Sequence, residues 1–465
     1  MTIDLLPEVA LLEIFGFYVD EACHIEAWYK LVRVCPKWRT VVYGSPRRLN
    51  LRLRCTSRTP VKETLHVWPL LPVVVLGDSH EMWGVDNIVA ALEHNNRTSE
   101  LALFDIPGSQ MEMVLAAMRQ PFPALTRLYL RPRDEAAPVD PNFFLGGSAP
   151  HLQMLNLERI PVPGLLNLLL SATHLVHLHL WRIPDSGYIS PEAMVTCLSM
   201  LASLESLHIG FESPRRRPDR KSRRPPLQKR TLLPVLTQCR FRGVSEYLED
   251  FVAQIVAPLL SKLRITFFHQ LIFDTPQLKQ FIGRTPKFKA HDEAHASVVF
   301  LEWGALVTLP QTYDGKLRLG ILCSQSDWQL SSLVQVCNSS FPQALTPAVE
   351  RLYILEDSRL SRLRWQDDVE NSQWLEFLQL FAAVKDLYIS QEFAPRIAPA
   401  LQELVGERVT EALPALQTLF LETHPSGPIQ EAIGQFAAER QFANLPIAIS
   451  RWEGEKDKWY ESYDD

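Results

Sequence analysis

A leucine pattern of the form L-x-x-L-x-L recurs along most of this 465-residue chain and limits what the chain can fold into. Successive side chains of a β-strand point to opposite faces, so the last two leucines of each copy share one buried face. Copies recur at intervals of roughly 23 to 35 residues, enough for one strand and one helix each. The clear copies are Leu125-Leu128-Leu130, Leu152-Leu155-Leu157, Leu175-Leu178-Leu180, Leu204-Leu207-Ile209, Val349-Leu352-Ile354, Val384-Leu387-Ile389 and Leu416-Leu419-Leu421.

The segments between these copies favour helices, which we predict over residues 111–119, 191–201, 247–257 and 374–381. Alternating strands and helices at this period indicate an α/β fold. We therefore predict an irregular leucine-rich-repeat solenoid over residues 55–450, with a curved, mostly parallel sheet and outer helices.

The rhythm changes between residues 287 and 323. Three strand-like runs follow one another there, and Asp314-Gly315 is typical of a hairpin turn. This pattern predicts a strand-rich insert that is partly antiparallel. Two fainter copies of the leucine pattern precede it, at Leu236-Cys239-Phe241 and Leu260-Leu263-Ile265.

The first fifty residues have a tight helical pattern instead. Pro7 and Glu8 suit the first turn of a helix, where a missing N–H costs nothing and an acid faces the positive end of the helix dipole. Two further helical runs cover residues 25–34 and 36–42. Three short helices bury little apolar surface by themselves. We therefore expect one face to be covered by another protein or, if the helices cap the solenoid, by the repeats.

Two motifs in this segment resemble the F-box. Residues 6–15, LPEVALLEIF, resemble its opening, and residues 31–38 follow its closing pattern L-x-x-V-C-x-x-W. Blocks at 59–69 and 267–280 extend the resemblance to F-box-like, leucine-rich-repeat proteins of filamentous basidiomycete fungi. The resemblance implies that residues 1–50 form an F-box-like helical domain, which docks a Skp-type adaptor and, through it, a cullin scaffold.

Carried over position by position, the resemblance implies a set of adaptor-binding residues at these two motifs. They are Leu6, Pro7, Leu11, Ile14, Phe15, Leu31, Val34, Cys35 and Trp38.

The residues that alternate with the strand leucines are predicted to face away from the core, and several are aromatic, histidine or arginine. Tyrosine, tryptophan and arginine are enriched at binding hot spots, so we expect this face to bind a target protein. A mixed, solvated sheet face is the alternative. The candidate target-binding residues are Arg127, Tyr129, Arg131, His177, His179, Trp181, His208, Arg351, Tyr353, Tyr388 and Phe420.

Composition narrows the possible partners and compartments. The net charge of -6 is mild for this length, and no apolar run approaches the ~20 residues that cross a bilayer, so neither nucleic acid nor membrane is the expected partner. The acidic N-terminus lacks a signal-peptide pattern, which predicts a cytoplasmic or nuclear protein. Residues 214–230 are predicted to be a basic disordered loop, for which a nuclear-import signal is an alternative interpretation, and residues 451–465 an acidic tail.

Motifs for catalysis or cofactor binding are lacking. Asp292-Glu293-Ala294-His295 matches a helicase box, but no phosphate-binding G-x-x-x-x-G-K-[ST] loop accompanies it. His177 and His179 share a strand face without a cysteine or acid at metal-ligand spacing. We therefore expect no enzyme activity, cofactor or metal. The expected function is that of a substrate-recognition subunit of an SCF-type cullin ubiquitin ligase, with a protein-interaction scaffold as the alternative.

Overall fold

The computed structural model describes most of the chain. The described residues are 6–21, 27–67, 70–77, 84–134, 144–161, 164–214, 230–288, 294–310, 316–323, 326–343, 345–356, 370–424 and 426–452. The predicted hairpin turn at Asp314-Gly315, most of the basic loop and most of the acidic tail lie outside them. The chain divides into two compact units. The N-terminal unit comprises Met1–Ile189 with Thr196–Glu212, and the C-terminal unit comprises Ser190–Val195 with Ser213–Asp465.

The N-terminal unit begins with three short helices, α1 (Glu8–Glu21), α2 (Trp28–Leu31) and α3 (Pro36–Gly44). Pro36 occupies the first position of α3, where its ring fixes a helical φ. Cys35 caps the same helix, because its Sγ accepts a hydrogen bond from the backbone N–H of Trp38 at 3.5 Å. The sequence pattern thus specifies both the start of α3 and its cap.

Seven parallel strands follow in the N-terminal unit, each paired with the next in chain order. They are β1 (Leu53–Cys55), β2 (Val73–Gly77), β3 (Thr98–Ile106), β4 (Arg127–Pro132), β5 (Met154–Glu158), β6 (His177–Ile183) and β7 (Ser206–Phe211). The helices that connect these strands are α4 (Val61–Val67), α5 (Val85–Leu92), α6 (Gly108–Ala117), α7 (Leu165–Ser171) and α8 (Pro191–Leu198), of which α8 belongs to the C-terminal unit up to Val195.

The strand leucines form the core of this unit. Leu128, Leu155, Leu178 and Leu207 are fully buried and occupy equivalent positions on β4 to β7. Burying a leucine side chain contributes about 1.5–3 kcal/mol to stability. This leucine row therefore fixes the pairing register of the strands and the face that each strand buries. The side chains that alternate with it form what we call the polar face of the sheet.

The strands of the C-terminal unit are β8 (Thr231–Leu232), β9 (Gln238–Gly243), β10 (Ile255–Val256), β11 (Lys262–Phe268), β12 (Ala294–Leu301), β13 (Gly304–Pro310), β14 (Lys316–Leu322), β15 (Val349–Glu356), β16 (Asp386–Ile389), β17 (Thr418–Leu421) and β18 (Ala448–Arg451). Their order in the sheet departs from chain order and is β9-β11-β14-β13-β12-β15-β16-β17-β18. The β12–β13 and β13–β14 pairs are antiparallel, and the other pairs in this order are parallel. Strands β8 and β10 form a separate parallel pair.

The helices of the C-terminal unit are α9 (Ser245–Ala253), α10 (Pro276–Arg284), α11 (Ser326–Ser340), α12 (Asn371–Gln379), α13 (Ala394–Gln402) and α14 (Pro428–Phe442). The helix predicted over 247–257 is wrong at its end, because α9 stops at Ala253 and Ile255 begins strand β10. The buried carboxylate of Glu249 accepts hydrogen bonds from the N–H groups of Gln277 and Leu278, at 2.9 and 2.7 Å, and so caps α10.

The expected α/β class with a mostly parallel sheet is confirmed. Within the described ranges, every helix is too short or too polar to cross a membrane.

Candidate protein-interaction surfaces

Helix α1 is apolar on both of its sides. Leu11, Leu12 and Phe15 are buried against the other two helices. The opposite side also carries large apolar residues, with Val9 63% and Phe17 70% exposed. Glu8 and Glu13 are also exposed on this helix, and Glu13 pairs with Arg48. Several large exposed apolar side chains on one short helix are nevertheless typical of an interaction site. We call the exposed group Val9, Ile14, Phe17 and Val34 the α1 patch.

The adaptor-binding residues predicted from the sequence divide into three groups of three. Pro7, Ile14 and Val34 are exposed, and Leu6, Cys35 and Trp38 are partly buried. The remaining three are in the core of the helices. These three are Leu11, Phe15 and Leu31. In this conformation the buried group supports the surface from below, so a partner would contact mainly the exposed group and the α1 patch. Val9 and Phe17 are not among the adaptor-binding residues predicted from the F-box resemblance, although their apolar character on the outer side of α1 was a usable signal.

Trp38 has a structural role beside any role in binding. Its ring packs on Phe15 with centroids 4.7 Å apart and an interplanar angle of 56°. Its indole N–H is buried without a hydrogen-bond acceptor among the described residues. Replacing Trp38 would therefore disturb the packing of α1 on α3, which makes it a poor probe of partner binding.

The polar face of the N-terminal unit brings seven of the predicted target-binding residues together. Tyr129, His179 and His208 lie in one row across β4 to β7, with Asn156 between the first two. The other four lie in the flanking rows. These are Arg127, Arg131, His177 and Trp181. The alternation read from the sequence therefore places these side chains on a common face.

Ring stacking and ion pairs hold this face in order. The imidazole rings of His179 and His208 stack with centroids 3.9 Å apart and an interplanar angle of 5°. Arg131 donates to the carboxylate of Asp105 at 2.9 Å and lies over the ring of Phe104 at 5.6 Å. The hydrogen bond to Asp105 raises the pKa of Arg131 above its ordinary value. This face is therefore rich in rings, and Arg127 and Arg131 on it have acidic neighbours.

The C-terminal unit carries the other four predicted target-binding residues. Tyr353, Tyr388 and Phe420 lie in one row across β15 to β17. Their rings form a continuous stack, with successive centroids 4.3 Å apart and interplanar angles of 13° and 3°. Arg351 lies 3.7 Å from the carboxylate of Asp386. Burial, followed by the neighbouring Tyr388, raises the pKa of Tyr353 to about 12.

Trp452 packs against this stack. Its ring centroid lies 6.1 Å from that of Tyr353 and 5.6 Å from that of Tyr388. The residue directly follows β18, so its side chain reaches back over the two neighbouring strands toward β15. Trp452, the second residue of the predicted acidic tail, thus lies on the polar face of the sheet.

A second group of face residues was missed altogether. Arg240, Arg264 and Arg318 lie side by side on β9, β11 and β14. Each stands between two buried apolar residues, in the runs C-R-F, L-R-I and L-R-L. That repeated arrangement was the available signal, but only the pairing of β11 with β14 shows that the three arginines are neighbours.

The described residues contain no group of three or more histidine, cysteine or acidic side chains that could hold a metal ion. Burial raises the pKa of the Cys55 thiol to about 11 and that of the Cys239 thiol to about 12. These thiols therefore stay protonated, and protonated thiols are poor nucleophiles and poor metal ligands.

Comparison with known proteins adds no relative: no family model matches the chain, and no curated protein matches it.

Proposed function

We propose that the chain is a non-catalytic substrate-recognition subunit of an SCF-type cullin ubiquitin ligase. The α1 patch and the F-box-like motifs around it would dock a Skp-type adaptor. The polar face of the repeats would bind the target protein. Such a subunit acts by proximity, since holding a target near the ubiquitin-charged enzyme raises the effective concentration of its lysines.

One observation carries the proposal. The side of α1 that faces away from its own helices exposes Val9, Ile14 and Phe17, and Val34 adds a fourth apolar side chain that is 58% exposed. An isolated three-helix unit gains nothing from such a surface, whereas an interface gains most of its free energy from a buried apolar centre. The F-box resemblance of residues 6–15 and 31–38 supplies the partner.

The test is binding of a purified Skp-type adaptor to the full chain, measured by calorimetry. The variant Val9→Glu/Phe17→Glu changes only exposed side chains, so the fold should be kept. We expect at least about tenfold weaker binding, because each hot-spot side chain accounts for roughly 2 kcal/mol or more. Met113→Glu, a similarly exposed apolar residue on α6, is the matched control and should bind normally.

A protein-interaction scaffold in which the helices only cap the repeats is the second candidate. It is favoured by Trp28, which is fully buried and donates its indole N–H to the carbonyl of Arg52 at 2.9 Å, next to β1. If the wild-type chain fails to bind the adaptor although it is folded, the cap is the correct interpretation. Unchanged thermal stability with loss of adaptor binding supports the ligase subunit.

A further inference from the structure

Strand β18 is the last strand of its sheet among the described residues, and its core side is open. Leu352, Leu387, Leu419 and Ile449 form one row across β15 to β18. The three leucines are fully buried, whereas Ile449 is 44% exposed. Removing apolar surface from water is favourable, so this core position is stabilised if another element covers it.

The segment that leads from α14 into β18 is apolar and uncharged. Phe442 is 84% exposed, and Leu445 is 36% exposed. The ten consecutive residues 441–450, QFANLPIAIS, carry no charge, although 22% of the whole chain is charged. Clustered exposed apolar side chains are typical of an interaction site. We call Phe442, Leu445 and Ile449, together with the outer edge of β18, the β18 edge.

The backbone of Ile449 is directed away from β17. The N–H groups of Ala448 and Trp452 donate to backbone carbonyls in and beside β17, each at 2.8 Å. Successive residues of a strand turn their N–H and C=O groups to opposite sides, so those of Ile449 face outward. An outward strand edge is a template for another strand, and proteins often protect such an edge with lysine or proline. Strand β18 contains neither.

The β18 edge is complementary to itself. In a two-fold symmetric dimer the same patch faces its own copy, so a charge at the centre would meet an identical charge. The uncharged segment avoids that repulsion. When two copies of β18 pair antiparallel, Ile449 of each copy can exchange both backbone hydrogen bonds with Ile449 of the other. The two isoleucine side chains then lie next to each other on the core side of the sheet.

Strand β1, the first strand of the N-terminal unit, does not offer a comparable edge. The carbonyl of Arg52, directly before β1, accepts a hydrogen bond from the indole N–H of Trp28 at 2.9 Å. Trp28 is fully buried, so helix α2 lies against the start of β1. Pairing of β18 with β1 of another copy would displace α2. A closed dimer of two β18 edges is therefore favoured over an open head-to-tail chain.

We propose that two copies of the chain form a two-fold symmetric dimer through the β18 edge. The two β18 strands pair antiparallel and continue the sheet from one copy into the other. Phe442 and Leu445 of each copy pack beside this strand pair, where Phe442 alone would bury roughly 150–250 Å². The dimer goes beyond the proposed function, because it requires neither the α1 patch nor the polar face.

The test is sedimentation velocity of the purified full chain over a range of concentrations. We expect reversible association to the mass of two chains. The mass of one chain at every concentration would overturn the proposal, and so would larger assemblies, because a two-fold pairing closes. A chain ending at Trp452 is measured beside it and should also dimerise. If only one of the two chains does, residues 453–465 either cover the edge or form the interface, and the proposal is wrong.

Surface variants locate the interface. Phe442→Lys/Ile449→Lys changes two exposed side chains and should weaken the dimer at least about tenfold, because it places like charges opposite each other in the apolar centre. Leu271→Lys/Ile272→Lys is the matched control, since these residues of the same unit are 73% and 69% exposed. The control should dimerise like the wild type, and thermal unfolding confirms that both variants are folded. Equal weakening in the two variants would contradict the assignment.

A cysteine at position 449 tests the pairing register. Paired residues that exchange hydrogen bonds across antiparallel strands have Cα atoms about 5.5 Å apart, which suits a disulfide. Ile449→Cys should therefore give a cross-linked dimer under mild oxidation. Val405→Cys, at a residue of similar exposure in the same unit, is the control and should stay uncross-linked. A dimer that persists while Ile449→Cys forms no cross-link would overturn the proposed pairing.

Discussion

The polar faces of the two units differ in how charged residues are distributed along their strands. On the N-terminal unit each of three face arginines has a carboxylate nearby: Arg131 lies 2.9 Å from Asp105, and the other two lie within 4 Å of an acid. Those two pairs are Arg182 with Glu158 at 3.6 Å and Arg127 with Glu100 at 3.9 Å. On the C-terminal unit, β9, β11 and β14 carry six basic residues and no acid.

The difference teaches how a mostly parallel sheet can carry charge on the same strand geometry. A face whose strands bring arginines and acids together stabilises itself modestly. Strands whose charged residues are all basic need groups from other elements to balance them. We therefore expect the arginines of β9, β11 and β14 to depend on more of the surrounding fold than the arginines of the N-terminal face.

The largest expected effect concerns Arg440, a buried arginine that stabilises the fold, in contrast to the arginines of the polar faces. Arg440 on α14 is 1% exposed and donates hydrogen bonds to five backbone carbonyls. These acceptors are Val409, Leu413, Pro414, Leu416 and Leu445. Arg440→Met leaves the carbonyls without donors and should lower the free energy of unfolding by about 3–5 kcal/mol, measured by urea denaturation. The control is Gln441→Met, exposed on the same helix. A loss below about 1 kcal/mol for Arg440→Met would show that water replaces the guanidinium.

Ring stacks provide the next comparison. Tyr388 contacts the rings of Tyr353, Phe420 and Trp452, whereas His208 stacks on His179. Aromatic pairs contribute about 0.5–1.5 kcal/mol each beyond burial, so Tyr388→Ala should cost about 2–3 kcal/mol and His208→Ala about 1 kcal/mol. Tyr388→Phe keeps the ring and should recover most of the loss. The free energies of unfolding are measured by calorimetry. Equal losses for Tyr388→Ala and His208→Ala would contradict the prediction that the C-terminal stack contributes more to stability.

Sequence alone could establish part of this architecture, and the limit is a physical one. Tyr129 and His179 can be assigned to the polar face of the sheet from sequence, because side chains in a strand alternate between faces and the neighbouring leucines are buried. The row of Arg240, Arg264 and Arg318 depends instead on β14 returning to pair with β11 after two intervening strands, and no local pattern specifies that return. The end of α9 was misplaced for a related reason, since Ile255 is recruited into pairing with distant Thr231.

The third comparison reverses one charge on the N-terminal face. Arg131→Glu places a second acid beside Asp105 and should destabilise the chain by about 1 kcal/mol at low salt. Thermal unfolding at low salt and at about 0.5 M salt measures the effect, which should shrink at high salt. An equal loss at both salt concentrations would mean that lost packing of Arg131 on the Phe104 ring, rather than charge, sets the cost.

The smallest expected effect concerns the pKa of His295, a titratable residue with Arg351 as its charged neighbour. Burial, then the neighbouring Arg351, lowers the pKa of His295 on β12. The unfolded chain takes up a proton near the ordinary histidine value of about 6.5, while the native chain resists it until lower pH. Stability from this site is therefore complete above that value and is lost as pH falls through the native pKa.

His295→Gln should flatten this acid-side decline, measured by urea unfolding between about pH 7.5 and about pH 5.5. Arg351→Gln should flatten it in part, because burial alone then depresses the pKa. If the free energy of unfolding depends on pH equally in the wild type and in His295→Gln, the imidazole is hydrated in the folded chain. A full effect of Arg351→Gln would instead reverse the order of the two causes and make the basic residues of this face, rather than burial, the dominant influence on His295.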